Sequence, residues 1–205
     1  MNDEKLVAQS SGLIVPDCDI VRHAMVYGIN ESIRASRFPM AVDTEKCPVF
    51  CSENTHTLFR ADIGSGHDQA MTGIIVQFDL TLPVKVWTEL QRYHFIDFVS
   101  SQSTMHRIAK FDLDRAYTEY VDDRIIAVMK ELVEKYNEDN TPQNYLRVLY
   151  SNPCGFKLTA RMTTNYRQLK TIYAQRHNHR LPEWKMLCDW MRDCLPFGKE
   201  WIARE

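Results

Sequence analysis

The run Asn165-Tyr166-Arg167-Gln168-Leu169, followed by Arg176, is the segment best equipped to hold an anion. A guanidinium is a planar fork of donors that matches phosphate or carboxylate oxygens. Arg167 and Arg176 lie nine positions apart. On a helix that is about 900° of rotation at roughly 100° per residue, so the two side chains leave on opposite faces. Two readings fit. Either both are solvated surface cations, the usual state of an exposed charge, or each face serves a different pocket of an oligomer.

A second group lies between Gln91 and Arg107. Ser100-Ser101-Gln102-Ser103-Thr104 puts hydroxyl and amide donors just ahead of His106 and Arg107. Hydroxyls donate to phosphate oxygens and arginine balances their charge, so the segment reads equally as a phosphate cradle or as a polar connecting loop. His94 alone carries little weight. A third group is Cys47, Cys51, His56 and His67, where a C-x₃-C pair followed by histidines suggests zinc. The His56 to His67 interval is unlike a compact finger, and Cys154, Cys188 and Cys194 show that thiols are frequent throughout. His177 and His179 point to different sides of a helix. No metal is expected.

These groups must be positioned by a chain of 205 residues, 44% hydrophobic and 25% charged, with a net charge of −2. A single domain spanning 1–205 is expected, with no global basic field to draw it to a nucleic-acid polymer. Any anionic ligand must be held by locally placed arginines, which favours a small nucleotide. No apolar run approaches the roughly 20 residues of a membrane span. Met1 to Lys5 are polar and lead into no apolar stretch, so no secretory signal is expected; six cysteines then read as reduced thiols in the cytoplasm.

Asp19 to Arg34 carries a helical apolar pattern, broken near Gly28, and 38–72 is loop-rich. Ile74 to Leu80, between Gly73 and Pro83, predicts a strand. A helix is predicted over Val84 to Phe98, with Trp87, Gln91 and His94 on one face, and an amphipathic one over Asp122 to Tyr136. Leu146 to Leu149 and Phe156 to Met162 predict short strands. Two helices close the chain, Thr164 to Gln175 and Pro182 to Cys194, with Pro182 suited to a first turn. Strands interspersed with helices give an α/β (α+β) class, with a central mixed sheet flanked by helices.

In order and spacing these segments resemble the flavin-dependent thymidylate synthases over roughly residues 60 to 195. Ser65-Gly66-His67-Asp68 resembles the family's Ser-Pro-x-Glu-His element before a strand. Gln91 matches a helical Gln, and Ser101, Gln102, Thr104 and His106 or Arg107 fall at later family positions. Leu146-Arg147-Val148-Leu149 is similar to an Ala-Arg-x-x-Leu-Pro strand, and Glu183-Trp184 to a Gln-Trp-Glu. Asn165-x-Arg167-x-Leu169 with Arg176 reproduces the family's Asn-Ala-Arg-x-Leu…Arg helix. Residues 1–60 match no part of the pattern.

The resemblance implies a homotetramer with shared active sites, binding FAD and dUMP, with NADPH and methylenetetrahydrofolate as co-substrates for reductive methylation to dTMP. It places Gln91, Gln102, Thr104, Arg107, Arg147 and Arg176 at the nucleotide, with Gln91 and Arg176 in the catalytic role. His67, His94, Ser101, Asn165 and Arg167 would face the flavin. One departure is marked: the family's Arg-His-Arg is Tyr93-His94-Phe95, or His94-Phe95-Ile96 without a gap. Losing a charge-assisted hydrogen bond there removes roughly 1.5–3 kcal/mol. Two other readings stand beside the enzyme: a nucleotide-binding protein of the same fold without methylation, and a zinc-stabilised interaction module.

Overall fold

The computed structural model describes residues 12–205; Met1 to Lys5 lie outside them. A five-stranded sheet runs in the order β1-β2-β3-β5-β4, with β1 at Leu13–Val15, β2 at Val21–Tyr27, β3 at Ile75–Pro83, β4 at Ile96–Ser101 and β5 at Lys157–Asn165. The pairs β1–β2 and β2–β3 are antiparallel. So is β3–β5: the Tyr166 amide reaches the Ile74 carbonyl near one end, and the Thr81 and Thr159 hydroxyls meet at 2.8 Å near the other. Thr164 at the Phe95 carbonyl and the Gln102 amide at the Thr159 carbonyl give β4–β5 the same sense. The α+β class with a central sheet and flanking helices is borne out, and all its pairings are antiparallel.

In β3 every second residue faces the core: Val76, Phe78, Leu80 and Leu82 are fully buried. This is the period-2 burial of a strand with one face on the core, at the apolar run expected to be a strand between Gly73 and Pro83.

The helix expected over Asp19 to Arg34 is instead strand β2 followed by a short helix α1, Ile29–Ala35. The register shifts between Arg22 and Met25, where His23 has φ 50°. This bulge inserts an extra residue, so the buried positions fall at Val21, Ala24 and Val26 and imitate helical spacing. Gly28, φ 76°, turns the chain from β2 into α1; a Cβ there would lie 2.4 Å from the Gly73 carbonyl oxygen. Helix α2 follows at Glu53–Arg60, within the stretch read as loop-rich.

Two further expectations are corrected. Helix α3, Val84–Leu90, stops at Gln91, and the chain turns through His94 and Phe95 into β4, so Trp87, Gln91 and His94 do not share a helical face. Leu146 to Leu149 lies within helix α6, Pro142–Ser151, and not in a strand. Thr141 caps α6 through the Asn144 amide and Pro142 opens its first turn. A single turn α4, Thr104–Arg107, precedes the amphipathic helix α5, Asp123–Glu138. Helices α7, Tyr166–Arg176, and α8, Pro182–Asp193, end the helical series as expected.

Contacts group the chain into two compact units. The first takes in the described residues through Leu80, with Tyr93–Val99 and Arg161–Glu205; the second is Thr81–Arg92 with Ser100–Ala160. In the first, α7 packs on α8 and on a closing π-type turn, Gly198–Ala203, around Tyr166, Trp184 and Trp201. In the second, α5 packs on α6 around Met129, Val148 and Phe156. Among the described residues no helix is long and apolar enough to cross a membrane.

Candidate functional site

Helix α7 begins where Asn165 leaves β5. The Asn165 side chain accepts from the Gln168 amide at 2.9 Å, so it caps the helix. One turn on, Arg167 and Lys170 converge on one carboxylate. Arg167 Nε donates to Asp68 Oδ1 at 3.0 Å, and Lys170 Nζ to Asp68 Oδ2 at 3.0 Å. Lys170 Nζ also donates to the Phe59 and Ala61 carbonyls, so its three protons find three acceptors.

The Asp68 and Lys170 side chains are fully buried, while that of Arg167 is 32% exposed. Burial pulls the Lys170 ammonium below its ordinary range, opposed by the hydrogen bond and charge of Asp68. Two cations on one carboxylate leave a surplus positive charge, and Arg167 is the member that reaches the surface. Asp68 thus anchors Arg167 through Nε, fixing the orientation of its guanidinium.

Arg176, at the far end of α7, is held differently. Its Nε donates to the Tyr93 hydroxyl at 2.7 Å, and that hydroxyl donates to Gln175 Oε1 at 2.9 Å. The guanidinium carbon lies 4.7 Å from the Trp184 ring centroid and 5.5 Å from that of Tyr93, within cation–π range of both. The opposed faces expected of the two arginines therefore appear as two separate sets of partners. Tyr93, marked in the sequence only as a lost arginine, is the residue that holds Arg176.

The second unit contains a cleft of about 400 Å³ lined by Gln102, Ser103, Arg107, Lys110, Phe111 and Asp112. Three of these belong to the segment read as a cradle. The Gln102 amide donates to the Thr159 carbonyl, and its side-chain Oε1 accepts from the Thr159 amide, both at 2.9 Å. Gln102 thus prolongs the β4–β5 ladder and sets where Ser103 begins. Thr104 opens α4, and its carbonyl accepts from the Tyr145 hydroxyl. Lys110 and Phe111 were missed in the sequence; a cation and an aromatic three and four residues after Arg107 were the available signal.

The other expected residues are spread over the surface. Gln91, His94, Ser101, His106 and Arg147 are exposed, and neither Gln91 nor Arg147 lines the cleft. His67 is exposed in its loop, with its amide on Ser65 Oγ at 3.3 Å. Cys51 Sγ lies 3.3 Å from His56 Nε2, while the other nitrogen of that ring is engaged by Trp201. Among the described residues no group of three or more His, Cys, Asp or Glu side chains is placed to hold a metal ion.

Neither a family model nor a curated protein sequence matches the chain. Solved structures do. Thymidylate synthase X from Helicobacter pylori with FAD and dUMP superposes with a TM-score of 0.68 at 18% identity, covering 89% of this chain and 95% of that one. A flavin-dependent thymidylate synthase from Helicobacter pylori complexed with FAD and dUMP gives 0.65 at 17%, covering 93% and 99%. A UMP/dUMP methylase, PolB from Streptomyces cacaoi, bound with 5-Br dUMP, gives 0.62 at 17%, covering 87% of each chain. The resemblance drawn from motif order is thus a likeness of fold over most of the chain: the protein has the fold of the flavin-dependent thymidylate synthases.

Proposed function

We propose that the chain is a flavin-dependent thymidylate synthase-like enzyme that binds FAD and a deoxyuridine nucleotide and transfers a one-carbon group to C5 of the uracil. The observation that carries this reading is Arg167, fixed by the buried Asp68 at the best-matched motif position of a chain with this fold. The surplus positive charge there fits the diphosphate of FAD. The donors of the 400 Å³ cleft fit a nucleotide phosphate: Ser103 with a hydroxyl, Arg107 and Lys110 with charge.

In this reading Arg167, with His67, His94, Ser101 and Asn165, holds the flavin. Arg107 and Arg176, with Gln91, Gln102, Thr104 and Arg147, hold the nucleotide. Bound reduced flavin supplies the hydride that completes the methyl group. The protein contributes orientation and charge: anchored guanidinium groups lose little freedom when an anion arrives. NADPH as reductant, methylenetetrahydrofolate as carbon donor and assembly as a homotetramer belong to the same proposal.

One observation favours a second reading, nucleotide binding without methylation. Tyr93 stands in the segment matched to the family's arginine signature, and its hydroxyl occupies Arg176 Nε. The flavin spectrum and turnover separate the readings, and a variant tests the placement of Arg176. Purified protein should show a flavin visible spectrum and release tritium from 5-tritiated dUMP with NADPH and methylenetetrahydrofolate. Arg176→Ala should abolish dUMP binding in calorimetry while leaving the fold intact. A colourless protein that binds dUMP supports the second reading, and wild-type dUMP affinity in Arg176→Ala overturns the placement of Arg176.

A further inference from the structure

Helix α1 ends at Ala35 and α2 begins at Glu53. Between them the chain takes two single 3₁₀ turns, Phe38–Met40 and Thr44–Lys46. Together with α2 this segment lines a cleft of about 410 Å³. It precedes every segment matched to the nucleotide and flavin motifs.

Arg37 is a lining residue of this cleft, and its Nη2 donates to the Phe50 carbonyl at 2.9 Å and to Ser52 Oγ at 3.0 Å. The Phe50 ring centroid lies 5.3 Å from the guanidinium carbon. Neutral groups alone therefore hold the cation in place. Its Nε is buried and has no hydrogen-bond partner among the described residues. Nη1 has none there either, and no carboxylate pairs with the side chain. A half-buried guanidinium with five donors and no counter-charge is under-compensated, and an anion is what would complete it.

The rest of the wall narrows the choice of anion. Lys46 and Asp43 pair with each other at 3.2 Å, so among the lining residues Arg37 supplies the surplus charge. A single unopposed cation suits a singly charged head better than a phosphate dianion. Met40, Pro48 and Leu58 add apolar surface. No aromatic ring is among the lining residues, so a nucleobase or flavin finds nothing to stack on.

We propose that the cleft binds a small amphipathic carboxylate. The carboxylate accepts from the free donors of Arg37, and the hydrocarbon lies against Met40, Pro48 and Leu58. The site is separate from the nucleotide and flavin assignments and does not depend on them.

Calorimetry on the full chain tests this with octanoate as probe, and with octanol and inorganic phosphate as controls. Each control lacks one half of the match, and octanoate should bind at least about tenfold more tightly than either. Arg37→Gln keeps a donor but removes the charge, and should weaken octanoate about tenfold. Met40→Asp changes a side chain that is 92% exposed, so it spares the fold while repelling the carboxylate, and should also weaken octanoate. In the wild type, a diazirine analogue of octanoate should label residues 36–58, as located by peptide mass spectrometry. Octanoate should displace that label, and FAD and dUMP should not. Absence of octanoate binding, equal binding of either control, or labelling elsewhere overturns the proposal. So does displacement of the label by FAD or dUMP, or wild-type octanoate affinity in a folded Met40→Asp protein.

Discussion

Arg167 and Arg176 share a helix but not an environment. Arg167 is tied to a carboxylate that has no contact with water, and Arg176 is laid against two aromatic rings. The network around Asp68 has a measurable consequence. Asp68→Asn removes the counter-charge of a buried lysine, and breaking a buried pair from one side costs about 3–5 kcal/mol. Urea unfolding should show that loss, with much of it recovered when Lys170→Met is added; a loss under about 1 kcal/mol would remove Asp68 from this role. The opposed faces were legible because helix geometry alone sets them. Their partners were not. Asp68 is 102 positions from Lys170, and Tyr93 is 83 from Arg176, separations over which no local pattern carries information.

In helix α7 a residue matched to a ligand motif also has a structural part. Asn165 lies where the resemblance puts a flavin contact, yet its side chain already caps the helix. Asn165→Ala should therefore cost about 1 kcal/mol of stability in chemical denaturation, while Asn165→Ser, also a good cap, should stay within a few tenths. Equal losses in the two variants would show that capping is not what the side chain contributes. Strand β3 was readable because its apolar run from Ile74 to Leu80 is bounded by Gly73 and Pro83. Strand β2 was not, since the bulge at His23 moves its buried residues off period two. In β4 only Ile96 is buried, so its sequence carries no alternation to detect. The strand expected at Leu146 to Leu149 had the apolar composition of one; the signals that overrule it, Thr141 and Pro142, lie just upstream.

For the molecule as a whole, the buried Tyr117 phenol should contribute a loss of stability at alkaline pH. Burial raises the Tyr117 phenol from 10.0 to about 12, and its hydroxyl donates to Asn152 Oδ1 at 2.9 Å. Below pH 10 the phenol is protonated in both folded and unfolded chains, so its contribution is constant. Above pH 10 the unfolded chain releases its proton first, and stability falls as pH rises towards about 12. The stability difference between wild type and Tyr117→Phe should be flat to pH 10 and then move against the wild type. Urea titrations on either side of that pH test this, and a difference that stays constant to pH 12 refutes the assignment.

Asp68 and Lys170 also restrict how such a sequence can drift. Changing either one alone strands a charge where water does not reach, so single-step descendants pass through a poorly folded intermediate. Changing both to well-packed apolar residues can be neutral or stabilising, but it would loosen Arg167 from its anchor. The two positions are thus expected to change together or not at all, and a lineage that exchanges both has also altered the guanidinium that reaches the surface.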